Sequence, residues 1–318
     1  MRNLKSVIIQ KYFVPLQAIN MIKKLFFISL FCLFACNKVQ AQEMPVAEFF
    51  CGAELNYADV NFTRLYNVLI NLTPGAKINL GRDWQIGLQA QVPIVNEGYA
   101  EKDSWLRLSM ANVSKELHFE SARQHFKITG GLFGKSRYGG DLRWMFPINS
   151  WLLFNAQVGV TNSWVVSTDL SECGETYFDT EKWSLTSILG GRIWLDKWAT
   201  ELRVNGGRYL NEDYGVEGEV MRHFKHCSVS LFAQYHEKAP SEYYKGTHRY
   251  GGGFRVVMML PPYKKQKKAV VVRPASNFRL TYNAQSDGFS MKKYTTDPEE
   301  NERTYPIHIP WGTGNFNE

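Results

Sequence analysis

From about Arg64 to Leu260 the apolar residues of this chain recur at every second position. Trp84, Ile86, Leu88, Ala90 and Val92 alternate with Gln85, Gly87, Gln89 and Gln91. Side chains of a β-strand point alternately to opposite faces, so each set occupies one face. The pattern repeats in Leu142, Trp144 and Phe146 against Asp141 and Arg143. It repeats in Leu152, Phe154, Ala156, Val158 and Val160 against Asn155, Gln157 and Gly159. Trp198, Thr200, Leu202 and Val204 alternate with Glu201, Arg203 and Asn205. Tyr214, Val216, Gly218 and Val220 alternate with Glu217 and Glu219, and Tyr250, Phe254, Val256 and Met258 with Arg255. Further strands are predicted over 65–72, 75–80, 105–112, 126–133, 163–168, 185–195 and 227–236.

Turn-forming residues punctuate these runs, as in Asn96-Glu-Gly98, Pro147-Ile-Asn-Ser150, Ser171-Glu-Cys-Gly174 and Asn211-Glu-Asp213. Some links are tight, such as Asp196-Lys197; others, such as 169–183 and 237–247, are long. Short turns at one end and long loops at the other are how membrane β-barrels are built. The expected fold is all-β: an antiparallel transmembrane β-barrel of about 12 strands, followed by a partly ordered C-terminal tail.

A soluble β-sandwich also alternates, so the pattern alone does not assign its faces to solvents. Three features favour a membrane. Charges of opposite sign sit in mid-strand on the polar face, as in Asp141 with Arg143 and Glu201 with Arg203. Trp84, Trp105, Trp151, Trp183, Trp198, Tyr214 and Tyr250 fall near strand ends, where aromatic girdles lie. Several strands have the length that a tilted span requires. Leu202 and Val204 are thus expected to face lipid. Gln85, Gln89, Asp141, Arg143, Asn155, Gln157, Glu201, Arg203, Asn205, Glu217 and Glu219 are expected to line a hydrated lumen. A soluble periplasmic β-protein is the alternative.

The one long apolar run lies near the start. Met21-Ile-Lys-Lys precedes Leu25 to Cys36, a basic segment followed by an apolar one too short to span a bilayer comfortably. Val39-Gln-Ala41 has the spacing of a signal-peptidase site, with cleavage expected before Gln42; Leu33-Phe-Ala-Cys36 is a lipoprotein-type alternative. Residues 21–41 read as a signal peptide and 1–20 as upstream sequence misread as coding. Residues 42–63 read as an N-terminal segment, 64–260 as the barrel and 261–318 as the tail. Cys51, Cys173 and Cys227 remain after the signal, too few for a disulfide framework, and no Cys-x-x-Cys pair points to structural zinc.

Past Leu260 the texture changes: Pro261-Pro262, then a basic cluster of Lys264, Lys265, Lys267 and Lys268, then a polar stretch with scattered prolines. Gly251-Gly-Gly-Phe-Arg-Val-Val-Met-Met-Leu-Pro-Pro262, Val272-Arg-Pro274, Phe278-Arg-Leu-Thr-Tyr282 and Ser286-Asp-Gly-Phe289 together resemble the YjbH-type family of outer-membrane proteins. Gly130-Gly-Leu-Phe133 and Tyr138-Gly-Gly140 fit it loosely. The resemblance spans roughly Trp84 to Tyr294. It implies an outer-membrane location, a role alongside exopolysaccharide or group 4 capsule machinery, and partners among extracellular polysaccharide and periplasmic export proteins. Many members are longer than this chain, and the last residue is Glu318 rather than a terminal aromatic. Arg249-x-Gly251-x-x-Phe254-x-Val256 is similar to a barrel-assembly signal but internal. If it acts as one, the strand near 249–260 closes the barrel, and the tail lies on the periplasmic side or in the lumen.

No catalytic motif is recognisable, neither Gly-x-Ser-x-Gly, His-Glu-x-x-His nor a phosphate loop, and the resemblance supplies none. Glu217 and Glu219 could serve as an acid–base pair but read better as luminal charges balanced by arginine. His223 and His226 with Glu219 could hold a metal, but odd and even strand positions face apart. No metal, cofactor or catalytic residue is expected. The lysine cluster suits lipid head groups, an acidic polysaccharide or solvent; nucleic acid is not an expected partner of an exported chain. The expected role is a non-enzymatic outer-membrane barrel in polysaccharide assembly or export, with a porin-like solute channel as the alternative.

Overall fold

The computed structural model describes residues 46–58, 67–97, 106–119, 124–134, 136–168, 176–178, 183–237, 249–261, 268–283 and 291–299. The signal segment, Cys173, Trp105 and Lys264, Lys265 and Lys267 lie outside them; Lys268 is exposed. Cys51 and Cys227 are free thiols.

In chain order the strands are β1 (Ala47–Ala58), β2 (Asn67–Gly81), β3 (Trp84–Glu97), β4 (Leu106–Phe119) and β5 (Gln124–Phe133). Next come β6 (Arg137–Pro147), β7 (Leu152–Thr168), the short β8 (Thr176–Phe178), β9 (Ser184–Leu195) and β10 (Thr200–Arg208). The last are β11 (Tyr214–His223), β12 (Cys227–His236), β13 (Tyr250–Met259), β14 (Val270–Pro274) and β15 (Asn277–Asn283). Sequential neighbours pair antiparallel from β1 to β13, with β7 pairing directly to β9 and β8 attached only to β7. Thirteen strands close the ring, so the expectation of about 12 is met within one strand.

The closure differs from the expected one. β13 does not meet the first strand. β15 runs antiparallel to β13, with Gly253 opposite Asn283 and Met259 opposite Asn277. β15 then lies parallel to β1, with Glu54 opposite Arg279. β14 continues the same line below it, with Ala47 opposite Val270. Two residues, Ala275 and Ser276, are inserted between these registers. The ring therefore closes through residues 47–58 and 277–283, which the sequence placed outside the barrel in the N-terminal segment and the tail.

The two ends of the barrel are unequal. β2–β3, β6–β7, β9–β10 and β11–β12 join at one end by short turns. The β2–β3 turn uses Gly81, Arg82 and Asp83, all at positive φ, and the β9–β10 link is a single 3-10 turn at Asp196–Trp198. At the other end the links after β1, β3, β7 and β12 are longer. β5–β6 and β10–β11 are the exceptions there, and beyond the tight β5–β6 turn β4 and β7 pair directly, Leu106 opposite Thr168. Close packing within the wall demands glycine in places. At Gly139 and Gly207, both at positive φ, a Cβ would collide with the carbonyl oxygens of Val160 and Ser187 respectively.

The polarity is inverted relative to a sandwich. Leu189, Val204 and Leu231 are 66%, 57% and 68% exposed on the outer face, while Glu201 and Arg203 are 1% and 2% exposed inside. Trp84, Trp151 and Trp198 stand exposed around the short-turn end, and Trp183, Tyr214 and Tyr250 around the long-loop end.

Candidate functional site

The inward side of β9 to β13 carries a continuous charged network. Arg203 Nε and Nη2 each donate to Glu201, both at 2.7 Å, and Arg192 lies 3.7 Å from the same carboxylate. His223 Nε2 is 3.2 Å from Glu201, and its Nδ1 meets the Ser228 hydroxyl at 3.0 Å. Arg203 also approaches Glu219 at 3.7 Å. Arg255 bridges Glu219 at 2.7 Å and Glu217 at 3.1 Å, its guanidinium resting on the Phe232 ring. Ser230 donates to Glu219 and Gln234 to Glu217. In so low a dielectric, charges persist only when paired and hydrogen-bonded.

The residues expected to line the lumen all face it. Gln89, Asp141, Asn155, Gln157, Glu201, Arg203, Asn205, Glu217 and Glu219 are buried; Gln85 and Arg143 are half-buried. Leu202 is half-buried and Val204 exposed on the outer face. The charged groups of the β9–β13 wall are buried and paired with one another. Lys293 of the tail reaches this wall at Glu217. The histidines make no metal cluster: among the described residues no group of three or more His, Cys, Asp or Glu could hold an ion. His223 instead belongs to the Glu201 network. Asn71 and Asn112 also point inward.

The feature that the periodicity did not reveal is residues 291–299, which run through the lumen from the long-loop end to the short-turn end. At the top, the Met291 amide donates to Asp213 Oδ2 at 2.5 Å, and Leu210 N–H donates to the Lys292 carbonyl at 3.1 Å. Lys293 reaches Glu217 at 3.3 Å, which ties the segment to the charged network. The Tyr294 hydroxyl donates to Asp141 Oδ1 at 2.6 Å, and its ring stacks on Phe133 at 5.5 Å. Gly134 N–H donates to the Thr295 carbonyl at 2.9 Å and Asn112 Nδ2 to that of Thr296 at 2.6 Å. Asp297 pairs with Lys127 and with Arg143 (3.3 Å). Glu299 closes the run at the bottom. Both its oxygens accept from Arg273, at 2.7 and 2.9 Å; Lys77 lies at 3.0 Å and the Ser276 amide donates to it at 2.9 Å.

The wall is shaped to receive this segment. A Cβ on Gly159 would coincide with the Tyr294 hydroxyl, and one on Gly134 would collide with Thr295 Oγ1. A Cβ on Gly87 would fall 2.8 Å from Pro298, and one on Gly215 2.8 Å from the Met291 sulfur. In each case glycine leaves the space that a luminal side chain occupies. Gly87, Gly159 and Gly215 read as strand glycines in the sequence and Gly134 falls just past a predicted strand; only the partner segment, far along the chain, gives them a role.

Fold and site together define a closed β-barrel with an apolar outer face and a charged lumen through which residues 291–299 run. No family model matches the chain, no curated protein matches its sequence, and no solved structure matches its fold.

Proposed function

We propose that this protein is a non-enzymatic barrel of a bacterial outer membrane that serves the assembly or export of a surface polysaccharide. The observation that carries the membrane reading is the inverted polarity: an apolar outer band lies between two rings of exposed Trp and Tyr, around a charged interior. A soluble protein rarely exposes so large an apolar surface, whereas a bilayer both requires it and forbids open sheet edges. The short turns then face the periplasm and the long loops the exterior. The polysaccharide role rests on the resemblance at Leu260–Pro262, Arg273–Pro274 and Ser286–Phe289.

A porin-like solute channel is the second reading. The polar lining favours it, since amides such as Asn155, Gln157 and Asn205 suit water and solutes equally. The luminal segment weighs against constitutive diffusion.

The mature protein is expected to fractionate with the outer membrane, to resist carbonate extraction and to change gel mobility on boiling. Release into the soluble periplasm would remove the membrane reading. A deletion strain separates the two roles. Loss of surface polysaccharide with small-solute uptake intact is expected; unchanged polysaccharide with impaired uptake would establish the channel instead.

A further inference from the structure

The short-turn end of the lumen gathers Lys77, Lys127, Arg143 and Arg273 around two carboxylates that belong to the luminal segment rather than to the wall. Arg273 holds Glu299 in the two-bond fork that guanidinium makes with planar acid groups. Lys77 and the Ser276 amide complete that seat, while Lys127 and Arg143 hold Asp297. Wall acids offset part of this charge: Glu48 lies 2.8 Å from Arg273, Glu116 3.4 Å from Lys127 and Asp141 3.3 Å from Arg143. Above the cations, Asn112 Nδ2, Gly134 N–H and Leu210 N–H donate to carbonyls of the segment, and Phe133 offers a ring face that Tyr294 covers. The track thus presents acid-binding forks at the periplasmic mouth, then neutral donors and an aromatic face further in.

We propose that the seat of Asp297 and Glu299 is a binding site for the acid groups of an anionic polysaccharide, which displaces residues 291–299 as it enters the lumen. The inference rests on the polysaccharide reading above and names its substrate class. Carboxylates spaced along a sugar chain satisfy Arg273, Lys77, Lys127 and Arg143 as the segment does. Sugar hydroxyls accept from the amide donors, and the face of a sugar ring covers Phe133. A neutral polymer would have to leave the cations without their acids, which is costly in a confined, poorly hydrated site. The segment therefore both closes the empty barrel and selects what opens it.

The test uses the purified full chain in lipid vesicles, its native cysteines replaced by serine and Thr295 replaced by cysteine. Thr295 is buried in the lumen, so maleimide labelling reports displacement of the segment; Thr296→Cys, equally buried, is a second reporter should the first variant not fold. Oligogalacturonate is expected to raise the labelling rate about tenfold, the change that ~1.4 kcal/mol in the displacement equilibrium produces. Malto-oligosaccharide of the same length, and sodium chloride at matched ionic strength, are expected to leave it unchanged. Asp297→Asn with Glu299→Gln is expected to raise the basal rate without any polymer. Equal responses to the acidic and neutral chains, or to salt alone, would overturn the proposal. So would indifference to oligogalacturonate in a protein that does label faster once both substitutions, Asp297→Asn and Glu299→Gln, are introduced. Either result, together with loss of surface polysaccharide in the deletion strain, would remove the acidic-substrate inference and leave the export role standing. Intact polysaccharide in that strain would overturn the export role whatever the labelling shows.

Discussion

At the residue scale the interior behaves as a packed ionic core. Arg203 is buried, and its two hydrogen bonds to Glu201 and its approach to Glu219 leave it little contact with solvent. On a simple alternating strand with a wet lumen, Arg203→Gln would be a mild change. In this network it takes both guanidinium hydrogen bonds from Glu201, which keeps only His223 and the more distant Arg192, and losing one partner of a buried pair costs about 3–5 kcal/mol. Val204, next along the strand, faces outward, so Val204→Arg should cost about 2–4 kcal/mol near the bilayer midplane. Urea unfolding in vesicles is expected to show both variants destabilised and Val204→Leu near neutral; a neutral Arg203→Gln would mean that water fills this wall. Gly159 makes a separate test. The Cβ of Gly159→Ala would occupy the place of the Tyr294 hydroxyl, so the ring must withdraw from Asp141. The barrel should keep its stability to within about 1 kcal/mol, since the ring tip can swing away, while trypsin cleaves the segment faster. The charges in this network were legible because they alternate with apolar neighbours. The seat glycines were not, because Gly159 acquires its meaning from Tyr294, 135 positions later.

At the element scale the closing strand decides what the tail is. Phe278, Leu280 and Tyr282 alternate with the buried Arg279 and Thr281, so β15 carries the period of two that marked the other strands. It was hidden by the Pro261-Pro262 break and the lysine run, and by a partner, β1, that lies more than two hundred residues earlier and pairs in parallel. Local pattern does not report pairing over such a separation. A chain cut after Lys268 loses β14 and β15 and leaves β1 and β13 as open edges, which a bilayer does not tolerate. That truncation is expected to abolish the heat-dependent gel shift. Truncation after Ser290 removes the luminal segment with the residues that follow it, leaves β14 and β15 in the chain, and is expected to preserve the shift. A folded barrel from the shorter chain would show that β13 can close on β1 directly, as the internal Arg249-to-Val256 pattern had implied.

At the scale of the whole molecule, the segment that closes the lumen and the strand that closes the wall belong to one piece of chain. β15 ends at the long-loop end, and residues 291–299 descend from there to the short-turn end. The segment is held by hydrogen bonds and ion pairs along its length, with small apolar clusters where Met291 meets Ile188 and Tyr209, and Tyr294 meets Phe133 and Leu210. Such an arrangement can be exchanged for another polar occupant without disturbing the outer band that a membrane would hold. Gly134 and Thr295 offer a means to fix it. A Cβ built on Gly134 lies 3.5 Å from the Thr295 Cβ, at the short end of the ~3.5–4.5 Å separation found across disulfides. With the native cysteines replaced by serine, Gly134→Cys and Thr295→Cys should form a bridge under oxidation. In planar bilayers the oxidised protein is expected to stay closed at all voltages. Reduction is expected to restore rare openings, and the chain cut after Ser290 to conduct persistently. Equal conductance from all three would place the permeation path away from this segment, and the barrel would then have to conduct with residues 291–299 in place.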